Sequence, residues 1–133
     1  MLLRGDVSEG CIWAPILRTS SPVPQLTPED RIDYEEGWHL FRQGRYWGAH
    51  EAWERLWRRR TDSAELRGFV QGLIQLTAGY HLTFERPRVA GALKNLAKAE
   101  ARLQQHLPQF LEVDVASLMS QIAELRARLR GQS

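Results

Sequence analysis

Cysteine is almost missing from this chain: Cys11 stands alone. One thiol cannot close an intrachain disulfide, which excludes a bridge-stapled secreted scaffold and fits a reducing, cytoplasmic setting. Long apolar runs are missing too. No stretch reaches the ~20 residues that a bilayer span needs, and the opening Met1-Leu2-Leu3-Arg4-Gly5-Asp6 lacks the apolar core of a signal peptide. Neither a membrane nor an export role is expected. Charge of one sign is also scarce, with 18 basic residues against 16 acidic ones and a formal net charge of +2. Nucleic-acid binders usually gather positive charge on one face. The only dense basic run, Arg58-Arg59-Arg60, reads better as solvated cations complementing a helix C-terminus, so nucleic acid is disfavoured as a partner. Alternating strand patterns, phosphate-cradling glycine loops and serine-nucleophile elbows are absent as well.

What is there is helical. With 43% apolar residues in 133, the chain supports one domain with a modest core. Its spacing predicts an all-α fold: a compact bundle of about five helices behind a proline-rich arm. The arm is residues 1–26, extended or flexible, interrupted by Pro15, Pro22 and Pro24. The bundle is residues 27–133. Thr27-Pro28 starts a first helix, which Gly44 ends. A second helix should span residues 45–59 and a third 64–84, with Leu66, Phe69, Val70, Leu73, Leu76, Thr77, Tyr80 and Phe84 in one stripe. Gly68, Gly72 and Gly79 share another face. Each weakens the helix by about 1 kcal/mol relative to alanine, a loss explained if a neighbouring helix passes close. Pro87 and Pro108 bracket a fourth helix. Asp114 caps a fifth, whose Val115, Leu118, Ile122, Leu125 and Leu129 form a narrow coiled-coil-like seam. That seam is satisfied either within the chain or by a second copy, which offers a route to a homo-oligomer.

The chemistry-bearing segment is Trp47-Gly48-Ala49-His50-Glu51-Ala52-Trp53-Glu54-Arg55-Leu56-Trp57. On a helical wheel His50 and Glu54 are neighbours one turn apart at the border of the apolar arc. Glu51 falls further round, toward water, where Arg55 can pair with it. A partly buried His–Glu pair beside indoles serves equally as a general acid/base couple or as a structural tie. The tie would run to Gln71, Gln75 or His81 on the third helix and fix the register of two packed helices. A metal would need a third ligand, for which His81 is the candidate. However, the pattern matches neither the His-Glu-x-x-His zinc motif nor the Glu-x-x-His pairs of di-iron bundles, so no metal or other cofactor is assigned to His50, Glu54 and His81. His39 reads as a boundary histidine, His106 as a cation suited to a helix C-terminus, and Cys11 as inert.

The run Phe41-x-x-Gly44-x-x-Trp47-x-Ala49-His50-Glu51-x-Trp53-Glu54-x-Leu56-Trp57, followed by Phe69-x-Gln71-Gly72-Leu73-Ile74-Gln75-Leu76, resembles the signature of the family called domain of unknown function 309. The resemblance covers residues 30–107. It implies a small all-helical bundle and no particular activity, with His50, Glu51, Trp53, Glu54, Trp57, Gln71, Gly72 and Gln75 as signature positions. The first expectation for function is a non-enzymatic structural or interaction domain built round the His50–Glu54 polar centre, with no catalytic residue assigned. The alternative is an enzyme or a small-ligand or metal-binding protein. Its site would lie between the second and third helices, with Gln71 and Gln75 orienting and Trp47 or Trp53 as an aromatic wall.

Overall fold

Thr27 opens the first helix with a complete capping box. Its hydroxyl accepts from the Asp30 amide at 3.1 Å, and the Asp30 carboxylate accepts from the Thr27 amide at 3.0 Å. The computed structural model describes residues 25–132; the arm assigned to residues 1–26 lies, except for its last two residues, outside them. Five helices follow in order: α1 (Pro28–Arg42), α2 (Tyr46–Arg59), α3 (Ala64–Tyr80), α4 (Val89–Leu103) and α5 (Val115–Gln132). A π-helical turn, His81–Glu85, follows α3, and a 3₁₀ turn, Gln104–His106, follows α4. None of the helices among the described residues is long and apolar enough to cross a membrane.

The centre is α3, flanked by α2 and α4. Its predicted stripe is buried from Leu66 to Thr77 and partly buried at Tyr80, but Phe84 is exposed, because the chain has left α-helical geometry there. The predicted close approach to the glycine face holds at Gly72 and Gly79 but not at Gly68, whose nearest neighbour would be 4.0 Å from a Cβ. A Cβ on Gly79 would lie 2.6 Å from Leu96 Cδ2, and one on Gly72 would lie 2.9 Å from Leu103 Cδ2. On the other side of the core, Trp53 is fully buried. Its indole N–H donates to the Tyr34 carbonyl at 3.1 Å, and its ring meets Trp38 edge-on at 4.9 Å. Gly37 makes room for that indole: any side chain there would overlap it.

Three boundaries differ from the sequence reading. The third helix does not run as α-helix to Phe84, because its last turn widens into the π-helical turn. The fourth helix starts at Val89 rather than Pro87, with Arg88 as its cap residue. Two short strands, β1 (Gln109–Phe110) and β2 (Val113–Asp114), form an antiparallel hairpin where no strand was expected. Two-residue strands carry too little alternation to be seen in a sequence. Leu111 and Glu112 in its turn have φ of 45° and 67°, the primed-turn geometry of tight hairpins. The turn is clamped from α1: the Tyr34 hydroxyl donates to the Leu111 carbonyl at 2.7 Å, and the Arg31 guanidinium grips both Glu112 carboxylate oxygens. Asp114 then caps α5 through the Ser117 amide at 3.0 Å. Val115, Leu118, Ile122, Leu125 and Leu129 are all buried, so the seam that suggested a second copy is covered inside the chain.

Candidate functional site

At its N-terminus α2 has no side-chain cap of its own. Glu85 supplies the need from the π-helical turn, its Oε1 accepting from the Trp47 amide at 3.1 Å. A carboxylate there also suits the positive end of the helix dipole. The same oxygen lies 2.8 Å from His81 Nδ1. His81 therefore pairs with Glu85 rather than joining His50.

His50 is 13% exposed and makes the predicted contact with Glu54, Nε2 to Oε2 at 3.5 Å. Its stronger bond was not foreseen. Nδ1 lies 3.1 Å from the Thr77 hydroxyl, which itself donates to the Ile74 carbonyl at 2.6 Å. With its proton so engaged, Thr77 accepts, and His50 donates from Nδ1. The Nε2 of a neutral His50 then faces Glu54 as a lone pair, and the pair attracts only when the ring carries a second proton. Glu54 also receives Arg58 at 3.4 Å. Thr77 looked like an ordinary stripe residue in the sequence; a buried threonine opposite a border histidine was the available signal.

The Trp47 indole sits against both histidines. It stacks on His50 at 4.4 Å with an interplanar angle of 9° and meets His81 at 4.9 Å. Yet Trp47 is 46% exposed, and Phe84, across the same end of the bundle, is 50% exposed. Tyr46, the residue before Trp47, has its ring 5.8 Å from Phe84 and 5.2 Å from the buried Phe41.

This arrangement lies inside a stretch that can be placed. Residues 34–95 match the family described as domain of unknown function (DUF309). The match spans 62 of the 133 residues. No curated protein and no solved structure matches the chain. The matched stretch takes in most of α1, all of α2 and α3, the π-helical turn and the first half of α4, and so contains both histidine–glutamate pairs and Trp47.

The remaining candidates within the matched stretch do not converge on His50. Gln71 and Gln75 are half-buried and make no hydrogen bond to it or to Glu54, and Gln75 Oε1 is buried without a hydrogen-bond partner. Trp53 belongs to the core rather than to a wall, and Gly72 serves helix packing. Trp57 lies under the Arg67 guanidinium, 3.9 Å from its ring centroid. Glu51 is exposed, and Arg55 does not pair with it but reaches Asp33 at 3.2 Å and Glu36 at 2.9 Å. Among the described residues no three histidine, cysteine or acidic side chains come together as a metal site. A cleft of about 660 Å³ runs along α1, lined by Ile32, Tyr34, Trp38, His39, Arg42 and Glu112 among others; none of the five polar candidates lines it.

Arg58–Arg60 is not a solvated basic run. Arg59 donates to Asp30 and Asp33, each at 2.9 Å, and Arg60 donates to Asp30 at 2.6 Å and Asp62 at 2.8 Å. Only Arg58 projects outward, 69% exposed. Burial by itself would raise the Asp30 carboxyl, but the Thr27 amide and the two guanidinia overcome it and hold the group below its usual value. The array latches the start of α1 to the end of α2. His106 also departs from expectation: it is buried against Phe69 and Phe110, and desolvation pushes its pKa down, against a weaker pull from Glu65.

Proposed function

We propose that this protein is a non-enzymatic interaction module, presenting the end of the bundle around Trp47 as its binding face, with the His50–Glu54 centre as the structure beneath it. One observation carries this reading. A large indole stays 46% exposed while its ring is stacked on His50 and tilted against His81, and its amide is held by Glu85. A half-exposed aromatic held in a single pose is a preorganised anchor, which binds without first losing rotamer freedom. Both histidines are engaged, His50 inward by Thr77 and His81 by Glu85 at the surface, which supports positioning rather than proton transfer to a bound substrate.

The test separates anchor from support. Trp47→Ala should abolish complementation of a deletion strain while leaving the melting temperature near that of the parent. His50→Gln should lower stability by about 1 kcal/mol, the worth of a typical buried hydrogen bond, and leave complementation intact. Should His50→Gln or Glu54→Gln abolish function at full stability, the pair is an acid/base site and the interaction reading fails.

A further inference from the structure

We infer that the partner of the Trp47 face is a single-stranded nucleic acid, an inference resting on the reading of that face as an interaction surface. Two observations meet there. The first is aromatic: Trp47 and Phe84 are 46% and 50% exposed, held within one end of the bundle by Tyr46 and His81. The second is charge. Six arginines elsewhere, Arg31, Arg55, Arg58, Arg59, Arg60 and Arg126, sit in ion pairs, whereas Arg102 and Arg128, on α4 and α5, have no carboxylate partner among the described residues. Arg45, Arg86 and Arg88 are exposed, and none has a carboxylate partner among the described residues.

The three flank the exposed rings in the chain. Arg45 immediately precedes α2, next to Tyr46 and Trp47. Arg86 and Arg88 follow the π-helical turn, their amides bonded to the His81 and Leu82 carbonyls at 2.9 Å and 2.7 Å. Glu85, the acid of this turn, is engaged by His81 and the Trp47 amide. Exposed π faces with unpaired arginines beside them in the chain fit unstacked bases on a phosphate backbone, with stacking supplying tolerance of sequence and the cations supplying affinity. A duplex hides its base faces and fits the arginines alone. The near-zero net charge conceals the patch because so many acids are consumed in ion pairs at other sites.

Fluorescence anisotropy of the full chain with a labelled single-stranded oligoadenylate tests this. Binding should appear at low salt and weaken as salt rises. Arg86→Ala with Arg88→Ala should flatten the log–log salt slope by about 0.7 for each phosphate that is no longer neutralised. Trp47→Ala should weaken binding by roughly 5- to 100-fold, the loss of one stacked base. Phe84→Ser, at a half-exposed position, should act in the same direction and guards against misfolding of the tryptophan variant. No binding at low salt would overturn the inference. So would binding that all these variants retain, equal affinity for a duplex or for polyglutamate, or competition by free adenosine monophosphate at the strand's own concentration. If Trp47→Ala destroys complementation but no strand binds, the interaction face stands and only the identity of its partner falls.

Discussion

The glycines of α3 look alike in sequence but do different work. Gly79 lies against Leu96, including its backbone nitrogen, 3.4 Å from where a Cβ would stand, so Gly79→Ala must push two helices apart. Overpacking of this kind costs about 1–3 kcal/mol. Gly68 has only the His106 ring, 4.0 Å away, so Gly68→Ala should instead stabilise by up to about 1 kcal/mol through helix propensity. Urea denaturation of the two variants should therefore move in opposite directions; equal shifts would mean that α4 does not pass where described. At the same scale, the Trp47 and His50 variants separate an exposed anchor from the residue that holds it.

At the scale of elements, the decisive joint is the latch between α1 and α2. Asp30 is fully buried and receives two guanidinia and a backbone amide. Asp30→Asn removes the charge that justifies burying those groups, and leaving buried partners unsatisfied costs about 1–3 kcal/mol. Because the folded carboxyl titrates below its ordinary value, its contribution is fully present above the ordinary carboxylate range. It is lost as pH falls through the folded value. Thermal denaturation in acid should show Asp30→Asn converging on the parent below that range, while the two differ at neutral pH. The π-helical turn is the second joint. It brings Glu85 to the start of α2 and leaves Phe84 and the two following arginines outward, and π-bulges of this kind recur at functional sites.

For the whole molecule, the family match and the folding unit differ. The DUF309 match ends at residue 95, but α5 buries Val115, Leu118, Ile122, Leu125 and Leu129 and is joined to α4 by Arg126 and Glu100. A chain cut after Asp114 should lose its cooperative thermal transition; calorimetry that finds it intact would show α5 to be peripheral. Acid sensitivity is also a property of the whole. His106 is buried with its pKa pushed down, so its neutral form favours folding. Stability is complete above the ordinary histidine value of about 6.5 and declines as pH drops below it. His106→Leu should flatten the fall in denaturation midpoint between about pH 7 and pH 5 relative to the parent.

The sequence by itself determined the helices and the inward faces. Apolar spacing, the Thr27 and Asp114 caps, and the glycine face of α3 are local, and helix periodicity is a local property. His50 and Glu54 were legible for the same reason, being one turn apart on one helix. Tertiary structure alone decided what those side chains meet. Thr77 rather than a glutamine receives His50, Asp30 and Asp33 rather than water receive Arg59, and Glu85 caps a helix that begins 39 residues before it. Such pairings depend on how helices cross, and one chain's sequence carries no periodic signal for contacts between elements. The two-residue hairpin and the π-helical turn escaped for a related reason: each is set by long-range clamps, from Tyr34 and Arg31 in one case and Trp47 in the other.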